Sequence, residues 1–148
     1  CMKQLTSLLL NDNRFSGVIH PGWGHYLSNI RDIDLGGNRL EGSLPDSIQN
    51  WGQSLELLSL RDNLLTGEIP MGLQKLKKLV ELQLDGNIFT GSNIFEIMTS
   101  LPQLQLVTLH ANSFTGSIPL LLQSSGDSMN KLEELWLNDN FMTSLPQL

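Results

Sequence analysis

The sequence predicts an α/β solenoid in which short parallel β-strands stack side by side into one long sheet. Two observations predict this fold class. The pattern L-x-x-L-x-L-x-x-N occurs six times, with Ile or Val in place of Leu at three positions, at intervals of 24 to 28 residues. Leucine occupies 31 of the 148 positions, and each copy of the pattern contributes apolar side chains to a shared core. A regular period of this length is typical of stacked repeats, each of them one small supersecondary unit.

The repeats divide the chain into one segment, residues 1–148, of about six units. Their strand cores are predicted near residues 5–13, 30–38, 55–63, 79–87, 104–112 and 132–140. Within each core the apolar residues alternate with others, as in a strand with one buried face, so Leu58 and Leu60 should point inward. One repeat cannot bury such residues alone, whereas stacked neighbours can.

The segments that connect the strands give a second set of expectations. Leucines three residues apart, at Leu73, Leu76 and Leu79, predict a short 3₁₀ or helical turn on the opposite side of the stack. Two segments depart from the repeat. Residues 21–26 contain one Pro and two Gly, and residues 124–128, which are rich in Ser, account for the last and longest interval of 28 residues. We expect both to form connecting loops, with Trp23 covering the core beside the first.

The asparagine that closes each pattern has a structural explanation. A turn follows each strand, and its backbone groups need partners inside a tight core. An inward amide side chain can donate to a carbonyl oxygen and accept from an N–H group. We therefore predict a ladder of asparagines along the stack. Its members are Asn13, Asn38, Asn63, Asn87, Asn112 and Asn140.

A second motif follows the asparagine and carries a family resemblance. The pattern N-x-L/F-x-G-x-I/L-P occurs at Asn38–Pro45, Asn63–Pro70 and Asn112–Pro119. It resembles the plant-type subclass of the leucine-rich repeat family, as found in receptor-like ectodomains and related secreted proteins. The resemblance implies a horseshoe segment with a concave parallel sheet, short second strands and short 3₁₀ or helical turns on the convex side. It also favours an extracellular or secretory compartment, while an intracellular or organellar one stays open.

The ends of the chain fit a piece of a longer protein. Ectodomains of the subclass that this sequence resembles carry cysteine-paired caps, which cover the last apolar layer. This chain has one cysteine, Cys1, and no cap sequence at either end. We therefore expect a solenoid segment without caps, taken from a longer chain.

Charge is distributed unevenly over the predicted faces. The chain has a net charge of −6. The x positions of the six patterns hold ten acidic residues and only two arginines, a balance of −8, while the other positions balance at +2. Such a field would attract a basic protein or peptide. The predicted partner-binding residues are Asp12, Asp32, Asp34, Glu56, Arg61, Asp62, Glu81, Asp85, His110, Glu133, Glu134, Trp136 and Asp139.

Other classes of function have little support. Phosphate backbones require clustered Lys and Arg, which an acidic chain lacks, so we do not expect nucleic-acid binding. No apolar run approaches the ~18 residues of a membrane span. The three histidines, His20, His25 and His110, have no metal-site spacing, and Cys1 has no evident activating partner. We expect no enzyme activity, no metal and no cofactor.

Two functions remain open at this stage. In the first, the chain is a recognition module that binds a protein or peptide through its acidic concave face. In the second, it is an accessory or scaffolding subunit, docked in a larger complex through its edges or convex side; the missing caps and the lack of any N-x-[ST] sequence favour this. The acids could also simply keep the face solvated. Arg31–Glu56 and Arg61–Asp85 could form cross-strand pairs.

Overall fold

A computed structural model describes residues 3–51, 53–119 and 129–145. In this part of the chain each repeat supplies two short strands, which join two different parallel sheets. The sheets run side by side along the stack, and short helical segments connect the first five repeats to one another. The predicted α/β solenoid is thereby confirmed.

The first sheet contains one three-residue strand from every repeat. Neighbouring strands are parallel and in step, so the same repeat position stands side by side along the sheet, as Ile33 does beside Leu58. The strands, in spatial order, are β1 (Ser7–Leu9), β3 (Asp32–Asp34), β5 (Leu57–Ser59), β7 (Glu81–Gln83), β9 (Leu106–Thr108) and β11 (Glu134–Trp136).

The second sheet is built from the N-x-L-x-G segments. Gly67 and Gly116 have φ angles of 80° and 92°, a left-handed region that a side chain disfavours, which explains the glycine in the motif. The strands, again parallel, are β2 (Ser16–Val18), β4 (Arg39–Ser43), β6 (Leu64–Glu68), β8 (Ile88–Gly91), β10 (Ser113–Ser117) and β12 (Phe141–Ser144).

Short helical segments lie on the convex side, as predicted. Two 3₁₀ helices, Asp46–Asn50 and Met71–Lys75, begin directly after the prolines Pro45 and Pro70. Proline fixes φ near −65° and has no N–H group to leave without a partner, so it suits the start of such a turn. In the fourth repeat the equivalent segment is the α-helix Ile94–Thr99, four residues of which are buried.

The first departure from the repeat differs from the expectation. Residues 21–26 were predicted to form a loop, but residues Trp23–Tyr26 form one turn of α-helix. Trp23 packs partly buried against the core, with its ring 6.1 Å from the fully buried ring of Trp51. The turn therefore takes the place of the convex 3₁₀ helices of the second and third repeats. The second departure, residues 124–128, lies outside the described residues.

The core is a continuous column of inward-facing side chains. In β5 and the residue after it, Leu58 and Leu60 are fully buried, and Leu82 and Leu84 are so in the next repeat. Burying a leucine completely contributes roughly 1.5–3 kcal/mol relative to leaving it exposed. Because each layer touches only its neighbours, this burial is what holds consecutive repeats together.

The closing asparagines bond neighbouring repeats to each other. Asn87 Nδ2 donates to the carbonyl of Leu84 in its own repeat, at 3.2 Å, and to that of Leu60 in the preceding repeat, at 2.9 Å. Its Oδ1 accepts from the Leu65 N–H group at 3.0 Å. The same bonds across repeats recur at Asn38, Asn63, Asn112 and Asn140. Asn13 Nδ2 donates to the Leu10 and Asn11 carbonyls of its own turn, and among the described residues it makes no side-chain bond to another repeat.

Candidate partner-binding site

The outward face of the first sheet is the candidate site. In β7 the middle residue, Leu82, is buried, while Glu81 and Gln83 point outward. We define the concave face by five positions in each repeat: the residue before the strand, the two outward residues of the strand, and the two turn residues that follow the next inward leucine. All thirteen partner-binding residues predicted from the sequence lie there, and each is half-buried or exposed.

The structure brings four of the thirteen predicted residues into one cluster. Asp85 faces His110, the His110 ring packs on Trp136, and Trp136 bonds to Glu134. The other predicted residues are spread along the face. Among the residues that the structure describes, no side-chain hydrogen bond or ion pair joins them to one another.

The backbone conformation explains why three of the predicted acidic residues are aspartates. Asp12, Asp62 and Asp139 occupy the third position after the strand, with φ angles of 55°, 51° and 56°. Aspartate tolerates this left-handed conformation better than most side chains. Gly37 holds the same position in the repeat after Asp12, and Gly86 holds it in the repeat after Asp62. A side chain at either glycine would collide with the carboxylate of that aspartate. These three acids therefore require no partner to explain them.

The cross-strand ion pairs considered in the sequence are not formed. In the described part of the chain no Lys or Arg nitrogen lies within 4.0 Å of a carboxylate, so neither Arg31–Glu56 nor Arg61–Asp85 is a pair. The Arg61 side chain lies over Gly36 in the preceding repeat, where an added Cβ would be 2.7 Å from Arg61 Cγ. The missing side chain of Gly36 makes the room. The concave carboxylates are thus left without internal cations.

A pocket lies in the C-terminal half of the concave face. Asp85 Oδ1 accepts a hydrogen bond from Thr108 Oγ1, and Asp85 Oδ2 lies 3.7 Å from His110 Nε2. The side chain of Asp85 is 13% exposed and that of His110 is 27% exposed. We call this cavity of about 290 Å³ the Trp136 pocket. It is lined by Arg61, Gln83, Asp85, Thr108, His110 and Trp136.

Trp136 is held in place at the C-terminal wall of this pocket. Its indole Nε1 donates to Glu134 Oε2 at 3.0 Å, and its ring centroid lies 5.6 Å from that of His110. The side chain nevertheless remains 49% exposed. A fixed but accessible tryptophan is the kind of residue that carries binding energy in protein interfaces, because little conformational freedom is lost on binding.

Two residues of the pocket were absent from the predicted set. Thr108 fixes the Asp85 carboxylate, and Gln83 forms part of the lining. Both are outward strand residues with uncharged side chains, and the prediction was selected mainly by charge. The in-step register supplies the missing signal, because it places Thr108 diagonally across from Asp85 in the preceding repeat.

The described residues form neither a metal-binding cluster nor a membrane-spanning helix. Within residues 3–51, 53–119 and 129–145, no group of three or more His, Cys, Asp or Glu side chains is arranged to hold a metal ion. In the same ranges, no helix combines the length and apolar character needed to cross a bilayer.

The two sheets, the asparagine bonds across repeats and the convex turns define a repeat solenoid with one open, charged face. The family model for the leucine-rich repeat matches residues 4–26, 29–51 and 54–76. The chain belongs to the leucine-rich repeat family, and its repeats are of the plant type.

Known proteins similar to this chain include plant receptors. Over 77 residues, 52% of this chain, it is 40% identical to the LRR receptor-like serine/threonine-protein kinase GSO2 of Arabidopsis thaliana. That match covers 6% of GSO2, and the matches to the next two curated relatives cover 10% and 8% of them. The chain thus spans only a small part of the relatives it resembles.

Solved receptor structures superpose on nearly the whole chain. One is the LRR ectodomain of the receptor kinase GASSHO1/SCHENGEN3 from Arabidopsis thaliana in complex with CASPARIAN STRIP INTEGRITY FACTOR 2. It has a TM-score of 0.84 and 34% identity, over 93% of this chain and 16% of that one. Another is the Arabidopsis HAESA ectodomain with an IDA peptide hormone ligand. It has a TM-score of 0.79 and 29% identity, over 95% of this chain and 26% of that one.

Proposed function

We propose that this chain is a non-enzymatic recognition module that binds a protein or peptide with a basic surface through its concave face. The observation that carries the proposal is the set of unpaired concave carboxylates. When the three acids explained by their turns are set aside, seven remain, against the two arginines Arg31 and Arg61. They are Asp32, Asp34, Glu56, Glu81, Asp85, Glu133 and Glu134.

The relatives support a binding role of this kind. The HAESA ectodomain, which has the same fold, is in complex with a peptide hormone ligand, and the GASSHO1/SCHENGEN3 ectodomain is in complex with a named factor. Both are receptor kinases, and the part that resembles this chain is the LRR ectodomain. A kinase activity elsewhere in the relatives is therefore not carried over to these 148 residues.

Electrostatics gives the proposal a measurable character. Unpaired carboxylates of one sign raise the local concentration of a basic partner and speed its association. Exposed charges are screened over about 8 Å at physiological ionic strength. Binding through this face should therefore weaken as salt is added.

A peptide selection tests the proposal without knowledge of the natural partner. A phage-displayed library of random dodecamers is selected on the folded chain. The enriched peptides are then measured against a concave variant, Asp32→Lys, Glu56→Lys and Glu81→Lys, whose three residues lie outside the Trp136 pocket. We expect enriched peptides to be rich in Arg and Lys, and their affinity for the concave variant to fall at least tenfold.

A matched variant controls for total charge. Glu41→Lys, Glu68→Lys and Glu96→Lys change the charge equally, but at exposed positions on the second sheet and the convex helix. This variant should keep the affinity within about threefold. If it loses as much affinity as the concave variant, or if the peptides carry no basic bias, the proposal fails. Binding that depends only on the control positions would instead favour the scaffolding alternative.

A further inference from the structure

The Trp136 pocket contains a carboxylate with unused acceptor capacity. An ionised carboxylate can accept about four hydrogen bonds. Asp85 Oδ1 accepts one from Thr108, whereas Oδ2 lies 3.7 Å from His110 Nε2, which is too far for a hydrogen bond. The Asp85 side chain is only 13% exposed, so water reaches it poorly. A half-buried and under-bonded carboxylate is costly to keep, and a donor group brought by a ligand would reduce that cost.

The obvious internal cation is turned away from this carboxylate. Arg61 borders the pocket, but its side chain runs over Gly36 toward the second repeat, with Nε 3.2 Å from the position of a Cβ on that glycine. It forms no ion pair with Asp85 within 4.0 Å. On the other side, Glu134 places a second carboxylate at the edge of the Trp136 ring, where it accepts from the indole N–H. The C-terminal side of the pocket is therefore anionic.

The Trp136 ring is better suited to a guanidinium group than to an ammonium group. It is fixed by the Glu134 hydrogen bond and by the His110 ring, yet remains half exposed. A guanidinium group is planar, stacks on aromatic rings and donates two parallel hydrogen bonds to a carboxylate. An ammonium group is a compact, strongly hydrated charge that does neither as well.

We infer that the Trp136 pocket is a subsite for an arginine side chain of the partner, with Asp85 accepting from the guanidinium and Trp136 contacting its plane. The inference rests on the proposed function, since it assigns one residue of the basic partner to one place on the concave face. The cavity of about 290 Å³ is large enough for a single side chain and too small for a folded element.

Amino-acid amides test the subsite directly. The ¹⁵N-labelled chain is titrated with N-acetyl-arginine methylamide and, separately, with the matching citrulline compound, which has nearly the same shape without the charge. The indole N–H signal of Trp136 reports binding, while those of Trp23 and Trp51 report the fold. The corresponding lysine compound is titrated in the same way. We expect the arginine compound to bind with a millimolar Kd, at least fivefold lower than that of the citrulline compound and at least twofold lower than that of the lysine compound.

Variants locate the effect. Asp85→Asn should weaken binding of the arginine compound at least fivefold, whereas Asp34→Asn, a concave acid outside the pocket, should change it less than twofold. Equal affinity for arginine and citrulline in the unmodified chain overturns the inference, whatever the variants do. So does an equal loss from both substitutions.

The two proposals fail in different ways. If basic dodecamers bind the concave face but the Trp136 signal does not distinguish arginine from citrulline, the subsite is wrong and the proposed function stands. If the dodecamers bind elsewhere, or show no basic bias, the proposed function is wrong, whatever the amides do.

Discussion

Asp85 and His110 face each other across neighbouring repeats, with Oδ2 and Nε2 3.7 Å apart. The sequence offered Arg61 as the partner of Asp85, because the two share a repeat position on adjacent strands. The in-step register equally places Asp85 next to His110 on its other side. Since Gly36 leaves space over the second repeat, Arg61 lies there instead, and no Lys or Arg nitrogen of the described residues lies within 4.0 Å of the Asp85 carboxylate.

Leu60 tests the inward assignment of the repeat leucines. It is fully buried, so Leu60→Ala should lower the free energy of unfolding by about 2–5 kcal/mol, through lost burial and the cavity left behind. Chemical denaturation followed by circular dichroism measures this change. Leu64→Ala, at a position 51% exposed, should stay within about 0.5 kcal/mol. A loss below half a kcal/mol at Leu60 would contradict the assignment.

Asn87 tests the bonds between repeats. Asn87→Ala removes the acceptor of the Leu65 N–H and the donor to the Leu60 and Leu84 carbonyls. The Leu60 and Leu84 carbonyls keep hydrogen bonds from Asn63 and Asn112, but the buried Leu65 N–H loses its acceptor. We therefore expect a loss of about 1–3 kcal/mol, the cost of one buried group without a partner. Asn138→Ala, at an exposed position, is the control and should be nearly neutral. Equal stability of the two variants would mean that the side-chain bonds contribute nothing net.

At the left-handed turn position, two substitutions should change the stability in opposite directions. Gly86→Ala should destabilise the chain by about 1–2 kcal/mol, because Gly86 has φ of 63° and its added Cβ would meet the Asp62 carboxylate. Ala111→Gly, at φ of 52°, should instead stabilise it by about 1 kcal/mol, because it relieves the strain of a side chain in that region. Thermal unfolding of both variants measures the difference, and a shift in the same direction for both would refute this explanation.

The absence of an Arg61–Asp85 pair is itself testable. A double-mutant cycle of Arg61→Ala and Asp85→Asn should give a coupling energy below about 0.3 kcal/mol, the level of independent sites. A corresponding cycle of His110→Ala and Asp85→Asn should give a larger value, because those two groups are in contact. Strong coupling at Arg61 would show that the arginine turns toward Asp85 in solution.

Much of the fold could be predicted from the sequence, because a repeated pattern constrains every unit in the same way. The alternation of the pattern places Leu58 and Leu60 on the same face of the strand. The asparagine after each strand is placed to satisfy the backbone N–H and carbonyl groups of the turns with its amide side chain. The single helical turn at Trp23–Tyr26 was missed, because its glycines and proline are typical of loops. Only its packing against Trp51 accounts for that turn.

The candidate site was less predictable than the fold. The period shows which residues share the concave face, but rotamers there depend on the neighbouring repeats. The direction of Arg61 depends on Gly36, and the position of the Asp85 carboxylate depends on Thr108. Counting charges also overstated the acidic set, since Asp12, Asp62 and Asp139 suit the left-handed turn.

Cross-linking mass spectrometry on native material, with a reagent that couples carboxyl groups to amines, tests the central claim most directly. The concave face contains the acids without a cation partner, whereas Lys75 lies on a convex 3₁₀ helix, and Lys77 and Lys78 lie at the edge of the face, in a pocket that Glu56 also lines. We predict links from Asp34, Glu81, Asp85 or Glu134 to lysines of a partner, and few from Glu41, Glu68 or Glu96. Links confined to the second sheet and the convex side would contradict recognition through the concave face.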